Sequence, residues 1–229
     1  LGGDAVVVSD QRTPEGFVRQ AQEAGLAINT NVSFPTMARA MKPLESGAAP
    51  ATRLVALKAV QPGYPLRGRL EISSPTEAAA PSSTTLAGQS QPAAVVPPEG
   101  EVWVDAALLE ALDLQVGQML GLGERSLRIG ATITREPDRG AGFMAFAPRV
   151  MMNMSDLVAT GLVQPASRVS WRMAVAGDAA AVARFLSWAQ TEADKPDVRG
   201  VKVESLESGR PEMRQTLDRA SQFLNLVSL

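Results

Sequence analysis

The sequence predicts an α+β protein, in which a porter-like, ferredoxin-like subdomain made of two split strand-helix-strand units carries an inserted, smaller mixed α/β subdomain. Two observations favour this fold class. A strand-helix-strand pattern at the start of the chain recurs after a gap of about a hundred residues, and the segment between follows a different pattern of short strands and turns. With 229 residues, 45% hydrophobic and 20% charged, the chain can bury a substantial core.

The first unit occupies the start of the chain. The β-rich run "DAVVVSD" at residues 4–10 predicts a buried strand. A helix is expected next, with Thr13 as its N-cap, Pro14 at its first position and Gly25 at its end. The runs "LAINTNVSFPTM" and "TRLVALKAVQ" then predict a second and a third strand.

The second unit lies near the other end of the chain. The run "RVSWRMAVAGD" predicts a strand that leads to Asp178, which can cap the helix that follows. The apolar residues of that helix recur at helical spacing and are Val182, Phe185, Leu186 and Ala189. The run "VRGVKVESL" predicts the closing strand. We therefore assign residues 1–61 and 166–210 to the porter-like outer subdomain, with both helices on one face of its sheet.

Residues 62–165 form the predicted inserted subdomain. Its Pro-, Ala- and Ser-rich spacer at 73–100 is expected to be mobile, because this composition cannot pack much of a core. The run "EVWVD" predicts a strand whose last residue, Asp105, can cap a short helix, and a capped helical turn is expected at 155–162. The run "QMLGLGERSLRIGATITRE" predicts a hairpin whose second strand has one dry face, made by Leu127, Ile129, Ala131 and Ile133.

Residues 211–229 predict a stalk helix that begins a second transmembrane helix. Pro211 suits the first helical position, and apolar residues then recur at alternating spacings of four and three, as in a seam between packed helices. The predicted seam consists of Met213, Leu217, Ala220, Leu224 and Val227. Phe223, Leu226 and Leu229 make the last turns apolar on every side, which favours entry into lipid. The alternative is a terminal helix folded back on its own core.

The opening glycine pair in "LGGDAVVVSD" predicts either the exit from a preceding helix or an ordinary turn before the first strand. No run of about 18 apolar residues occurs within the chain. Complete membrane spans are therefore expected to lie outside these 229 residues.

The composition excludes several classes of chemistry. The chain has no Cys and no His, which removes disulfides, thiolate nucleophiles, Ser-His-Asp triads and the zinc sites that depend on these residues. No lysine stands three positions after a serine, as a Ser-x-x-Lys motif requires. A net charge of −2 without a cluster of Lys and Arg argues against a nucleic-acid partner. We assign no catalytic, cofactor-binding or metal-binding residue and expect no enzymatic activity in this domain.

Two weaker signals have simpler local explanations. Gly121 and Gly123 lie at a hairpin turn and not between a strand and a long helix, where a phosphate-binding loop would lie. Glu136 and Asp138 could form an acid-base or metal pair. However, the intervening Pro137 and the flanking arginines favour a solvated loop with local ion pairs.

A group of soft apolar side chains is the candidate contact surface. It consists of Phe143, Met144, Phe146, Met151, Met152 and Met154. Methionine adapts to varied apolar partners, so such a cluster can line a binding surface, although filling of the core is the simpler explanation.

Four segments carry a resemblance to a known family. They are "QPGYPLRGRLEI", "GEVWVDAALLEALDLQVGQMLGLGERSLRIGATITREPDRG", "FAPRVMMNMSDLVATGLVQPASRV" and "RPEMRQTLDRASQFLNLVSL". Together they resemble the first large periplasmic domain of YbbP-type ABC transporter permeases, in the FtsX and MacB superfamily. The resemblance covers nearly the whole chain apart from residues 73–98.

The resemblance implies a bacterial inner-membrane protein whose MacB-like periplasmic core domain lies between the first and second membrane helices. It implies a cytoplasmic ABC ATPase as partner, together with the membrane helices and second periplasmic domain of the same permease. The ATPase cycle would move the periplasmic domains during export or extraction of lipoprotein-like or hydrophobic cargo. The YbbP-like branch further implies a periplasmic esterase or lysophospholipase as partner.

Two other hypotheses stay open from the residues alone. One is a free-standing periplasmic binding or adaptor module without a membrane helix. The other is a carboxylate-dependent hydrolase, which would need a pair of acidic residues as its catalytic groups.

Overall fold

The computed structural model describes residues 2–42, 49–74, 91–92, 96–140, 143–165 and 167–205. The strands are β1 (Ala5–Ser9), β2 (Ala27–Ala40), β3 (Thr52–Val60), β4 (Glu71–Ser73), β5 (Gln91–Pro92), β6 (Glu101–Asp105), β7 (Met119–Leu122), β8 (Arg125–Arg135), β9 (Arg149–Asn153), β10 (Ser170–Ala176) and β11 (Val201–Ser205). The helices are α1 (Glu15–Glu23), α2 (Ala106–Leu112), α3 (Phe143–Phe146) and α4 (Ala179–Ala193). The strands form one sheet in the order β11-β1-β10-β2-β3-β9-β6-β8-β4-β5, and β7 pairs with β2 and β8. The predicted α+β class is confirmed.

The two ends of the described chain build the predicted ferredoxin-like half. β11, β1, β10 and β2 lie side by side, and each neighbouring pair is antiparallel. α1 connects β1 to β2 and α4 connects β10 to β11, as in a split pair of strand-helix-strand units. Both helices pack on one core, where the Trp188 ring lies 5.2 Å from that of Phe17 and 6.1 Å from that of Phe185 between centroids.

The helix caps were predicted correctly for α4 and wrongly for α1. The Asp178 carboxylate accepts hydrogen bonds from the backbone N–H groups of Ala180 and Ala181 at 3.0 and 3.1 Å. In α1, Pro14 and not Thr13 occupies the N-cap position, and its carbonyl accepts the first helical hydrogen bond. A residue before proline is restricted to extended backbone, so Thr13 stays outside the helix. Its hydroxyl is buried without a hydrogen-bond partner among the described residues.

A second core fills a closed six-stranded barrel. Ladders join β2 to β3, β3 to β9, β9 to β6, β6 to β8, β8 to β7 and β7 back to β2. Side chains from all six strands and from α2 fill its interior, among them Phe34, Leu57, Val104, Leu108, Leu120, Ile129 and Met152. Residues 31–40 and 52–60, which we assigned to the outer subdomain, therefore also supply two of the six barrel strands.

Strand β2 is shared by the two halves. Residues 27–33 pair with β10 and residues 31–39 pair with β3, within one unbroken 14-residue strand. Pro35 lies on β2 between the end of the β10 ladder and the start of the β7 ladder. On this edge of β2 no described strand pairs with Pro35, which suits a residue that has no N–H to donate, whereas on the other edge Pro35 pairs with Ala56 of β3. A movement of one half relative to the other would have to bend β2.

The alternation in β8 is interrupted by a bulge at Gly130. Two successive residues of β6 pair with Ile129 and Ala131, which leaves Gly130 as an extra residue. Leu127 and Ile129 therefore face the barrel interior, whereas Ala131 and Ile133 pack in a third cluster on the outer face of the barrel. All four are buried as predicted, but the prediction of a single dry face is wrong.

Other predicted elements differ in detail or lie outside the described residues. The expected helical turn at 155–162 consists of two short 3-10 turns, and Asn153 accepts the capping hydrogen bond from the Ser155 N–H at 3.0 Å. Within the predicted spacer, β5 pairs with β4 and Val96 is buried. Residues 75–90 and 93–95 of the spacer and the whole stalk helix with its seam lie outside the described residues.

Candidate functional site

Four charged side chains and a tyrosine form a buried network on the outer face of the barrel, which we call the junction cluster. Lys58 Nζ lies 3.0 Å from Glu136 Oε1 and 2.8 Å from Asp138 Oδ1. Arg149 Nε donates to Glu136 Oε2 at 2.8 Å. The Tyr64 hydroxyl accepts from Lys58 at 2.8 Å and donates to Asp138. The four charged side chains are each at most 3% exposed.

Strand alternation aims the two cations of the cluster outward. Lys58 lies in β3 between Leu57 and Ala59, which both face the barrel interior. Arg149 begins β9, the parallel neighbour of β3, and the next residue, Val150, faces the interior. Because successive side chains point to opposite faces of a sheet, Lys58 and Arg149 emerge on the same outer face.

The loop after β8 supplies the two carboxylates of the cluster and is held to the barrel by ion pairs. Glu136 and Asp138 lie in this loop and bind the cations of β3 and β9. Arg139, the next residue, pairs with Asp105 at the end of β6 through both Nη nitrogens of its guanidinium. The Arg139 carbonyl in turn accepts a hydrogen bond from Arg149 at 3.0 Å. The loop therefore joins three barrel strands by charged contacts.

The interpretation of Glu136 and Asp138 as residues of a solvated loop is wrong. Neither pairs with its sequence neighbour Arg135 or Arg139, and both are buried against residues far away in the chain. Two sequence signals could have found the cluster. Lys58 is a single cation inside the apolar strand "LVALKAV", and Arg149 stands directly before "VMM". Because a buried cation needs a carboxylate partner, each of them predicts a distant acidic residue.

The environment of the cluster shifts the pKa values of Tyr64 and Asp138. Burial raises the pKa of Tyr64 well above its ordinary value, and the charges of Asp138 and Glu136 raise it further, so the phenol stays protonated and donates. Burial alone would raise the pKa of Asp138. The charge of Lys58, the hydrogen bonds from Lys58 and Tyr64, and the charge of Arg172 outweigh it, so this pKa lies below its ordinary value. The cluster is suited to holding strands together, since its polar groups already bind one another.

The first described residues rest on the junction cluster. Gly2 has a φ of +73°, and a Cβ built there would lie 2.9 Å from an Asp138 carboxylate oxygen, so glycine alone fits this contact without displacement. The Gly2 carbonyl accepts a hydrogen bond from the Arg67 N–H at 3.0 Å. The Arg67 guanidinium binds Asp4 through two hydrogen bonds of 2.8 and 2.9 Å. A displacement of Gly2 would therefore act directly on Asp138 of the cluster.

Acid should weaken the fold through Asp138. Its folded-state pKa lies below the value of about 3.9 expected for an unfolded chain. The carboxylate therefore stabilises the fold above about pH 4, and this contribution is lost as the pH falls through the folded-state pKa. Urea denaturation at a series of pH values should show this decline in the free energy of unfolding. Asp138→Asn should lack this part of the decline. If the free energy of unfolding fell equally steeply with pH below about pH 4 in both proteins, Asp138 would not be the source of the decline.

The structure separates the methionines of the predicted contact patch. Met152 fills the barrel interior, and Met151 packs in the cluster on the outer face, both with no exposed surface. Met154 packs partly against the barrel core. Met151 and Met152 of β9 point to opposite faces of the sheet and both are fully buried, so they fill two cores and form no exposed patch.

Phe146 is exposed and lies next to a different apolar surface. Its side chain is 86% exposed and lines a surface cavity with Leu54, whereas the side chains of Phe143 and Met144 lie outside the described residues. Leu54 is the register partner of Met37, and both line a second, open groove. We call the exposed residues of this surface the apolar strip, which comprises Met37, Met41, Leu54, Met119 and Phe146.

The described residues contain neither a group suited to a metal ion nor a helix suited to span a membrane. In this part of the chain, no group of three or more acidic side chains is arranged to hold a metal ion. No helix among the same residues is long and apolar enough to cross a bilayer.

Comparison with known proteins identifies relatives of this chain. No family model matches it. It is 30% identical over 229 residues to the uncharacterized ABC transporter permease YbbP of Escherichia coli (strain K12), and it spans 25% of the length of that relative. A similar solved structure is the periplasmic region of MacB from Actinobacillus actinomycetemcomitans, with a TM-score of 0.46, 12% identity and coverage of 95% of this chain and 94% of that chain. Another is a domain of a permease candidate from Porphyromonas gingivalis, with a TM-score of 0.45, 9% identity and coverage of 90% and 91%.

The similarity to YbbP extends over the whole chain. It confirms the resemblance carried by the four sequence segments. The chain is therefore similar over its whole length to a YbbP-type ABC transporter permease and corresponds to about a quarter of the length of the Escherichia coli protein.

Proposed function

We propose that this chain is a periplasmic domain of an ABC transporter permease and transmits the ATP-driven movement of membrane helices to the periplasm. The observation that carries the proposal is a register pair. Ala5 at the start of β1 lies directly opposite Ser205 at the end of β11. Paired residues in antiparallel strands lie about 5 Å apart, so the two ends of the described fold leave it side by side. This arrangement suits a domain held by two neighbouring membrane helices.

The internal structure suits a part that moves as one body. β2 runs without a break from the ferredoxin-like half into the barrel. The junction cluster joins β3, β9 and the loop after β8, and Gly2 rests directly on it. Packed interiors resist deformation, so a displacement at the two ends should tilt both halves together.

The proposed partners follow from this role. A separate cytoplasmic ABC ATPase would hydrolyse ATP, and the described domain itself would carry out no reaction. The apolar strip, with its three methionines, is our candidate contact surface for apolar or lipid-linked cargo, because methionine adapts to varied apolar partners. A periplasmic esterase or lysophospholipase would act on the same kind of cargo.

The proposed stalk seam gives a direct test in the complete permease with its ATPase. Leu217→Asp places a charge in the apolar seam at which the stalk would pack on another helix. We expect ATP hydrolysis to continue, while the ATP-dependent displacement of a spin label on the periplasmic domain is lost. Gln215→Asp, on a different face of the same predicted helix, is the matched control, and its spin label should show the normal ATP-dependent displacement. Normal displacement in Leu217→Asp would contradict the proposed transmission.

A further inference from the structure

A cavity of about 410 Å³ opens beside the junction cluster, at the boundary between the ferredoxin-like half and the barrel. Its wall includes Ser33 and Phe34 of β2, and Ser170 and Arg172 of β10. The cluster residues Lys58, Asp138 and Arg149 form another part of its wall. Its volume lies within the range of small-molecule sites, about 300–1,000 Å³.

The surroundings of the cavity carry more positive than negative charge. Five cations line it, namely Lys58, Arg139, Arg149, Arg168 and Arg172. Four of them pair with carboxylates: Lys58 and Arg149 with Glu136, Lys58 also with Asp138, Arg139 with Asp105, and Arg172 with Glu204. Arg168 is exposed and makes no ion pair with any residue that the structure describes. Five cations therefore face four carboxylates, and the excess charge belongs to Arg168.

Strand geometry directs polar groups toward one place in this cavity. Ser170 and Arg172 are two residues apart in β10 and share a face of the sheet. Ser33 on β2 is the register partner of Ser170. Arg168 lies two residues before Ser170 and also lines the cavity. Two guanidinium groups and two hydroxyls thus border the same space.

We propose that this cavity binds an anionic phosphate group with a small organic substituent, held by Arg168 and Arg172. Planar guanidinium groups match the geometry of phosphate oxygens. Arg172 binds Glu204 through Nη2 alone, so this ion pair does not use its Nε and Nη1 groups. Phe34, Pro35 and Val169 give the cavity an apolar wall for the organic part. Because β2 and β10 lie on one side and barrel residues on the other, the bound ligand would bridge the two halves.

The test uses the 229-residue chain and glycerol phosphate at constant ionic strength, followed by isothermal titration calorimetry. We expect saturable binding that Arg168→Gln weakens by about tenfold or more, since a charge-assisted contact is lost. Arg125→Gln removes an exposed arginine outside the cavity and should leave binding unchanged. Equal melting temperatures of the three proteins would show that folding is intact.

A second arm distinguishes the source of the phosphate. Vesicles of phosphatidylglycerol and of phosphatidylcholine are sedimented with the chain and both variants. Binding of glycerol phosphate in solution indicates a soluble phosphate ester. Binding seen only with phosphatidylglycerol vesicles and weakened by Arg168→Gln indicates a lipid headgroup. The proposal is overturned if neither probe binds, or if Arg168→Gln binds as tightly as Arg125→Gln.

Discussion

Replacing Glu136 by glutamine should destabilise the fold by about 3–5 kcal/mol. This is a large part of the roughly 5–15 kcal/mol by which a typical domain is stable. The Glu136 carboxylate is fully buried and binds Lys58 at 3.0 Å and Arg149 at 2.8 Å. Glutamine keeps the shape of the side chain but removes its charge, which leaves two buried cations with only Asp138 to balance them. Urea denaturation followed by circular dichroism measures the loss.

An exposed ion pair provides the control for this substitution. Asp113 binds Lys42 at 2.7 Å with its own side chain fully exposed. Asp113→Asn removes one charge from that pair, and asparagine tolerates the positive φ of 49° at this position. We expect no measurable change in stability, because exposed pairs contribute little. If Glu136→Gln were as stable as Asp113→Asn, the junction cluster would not be the buried network described above.

Gly123→Ala should destabilise the barrel by about 2–5 kcal/mol, the sum of about 1–2 kcal/mol for left-handed backbone and about 1–3 kcal/mol for overpacking. Gly123 joins β7 to β8 with a φ of +55°. A Cβ there would collide with the carbonyl oxygen of Thr160, and it would lie 3.0 Å from the Leu162 side chain. The carbonyl cannot move freely, because it accepts the Glu124 N–H at 2.9 Å. Chemical denaturation with urea measures the loss.

Gly117→Ala is the matched control for the collision. Gly117 also has a positive φ, of 94°, but apart from its two chain neighbours no described residue has an atom within 4 Å of a Cβ built there. Its alanine variant should therefore lose only the conformational part, about 1–2 kcal/mol. If Gly123→Ala and Gly117→Ala lost the same free energy of unfolding, the turn at Gly123 would not pack against Thr160.

The sequence predicted the ferredoxin-like half well because its signals are local. Asp178 stands directly before an apolar helical pattern, and it caps α4 as expected. The β-rich runs around α1 and α4 became adjacent strands of one sheet. In this half, each strand-helix-strand unit is continuous in the chain, so periodicity suffices to define it, although the cap of α1 was predicted wrongly.

The barrel and the junction cluster depend on contacts that sequence pattern does not show. Closure of the barrel requires β7 to pair with β2, about 80 residues earlier in the chain. The bulge at Gly130 reverses the faces of β8 although its alternation is unbroken in the sequence. Glu136 was interpreted from its neighbours, whereas its partners Lys58 and Arg149 come from other strands. Of the apolar strip only Phe146 was predicted, because the other residues are isolated positions that lie on β2, β3 and β7 or just after β2.

The central claim is that both halves move as one body when ATP drives the membrane helices. Because this chain has no Cys, spin labels can be placed at Glu110→Cys on α2 and Arg184→Cys on α4, both exposed. Pulsed electron paramagnetic resonance on the complete permease with its ATPase, in a cysteine-free background, measures the distance between these labels and from Glu110→Cys to a spin-labelled lipid headgroup. We predict that ATP changes the distance to the lipid and leaves the distance between the labels unchanged. A changed distance between the two labels, or an unchanged distance to the lipid, would contradict the account.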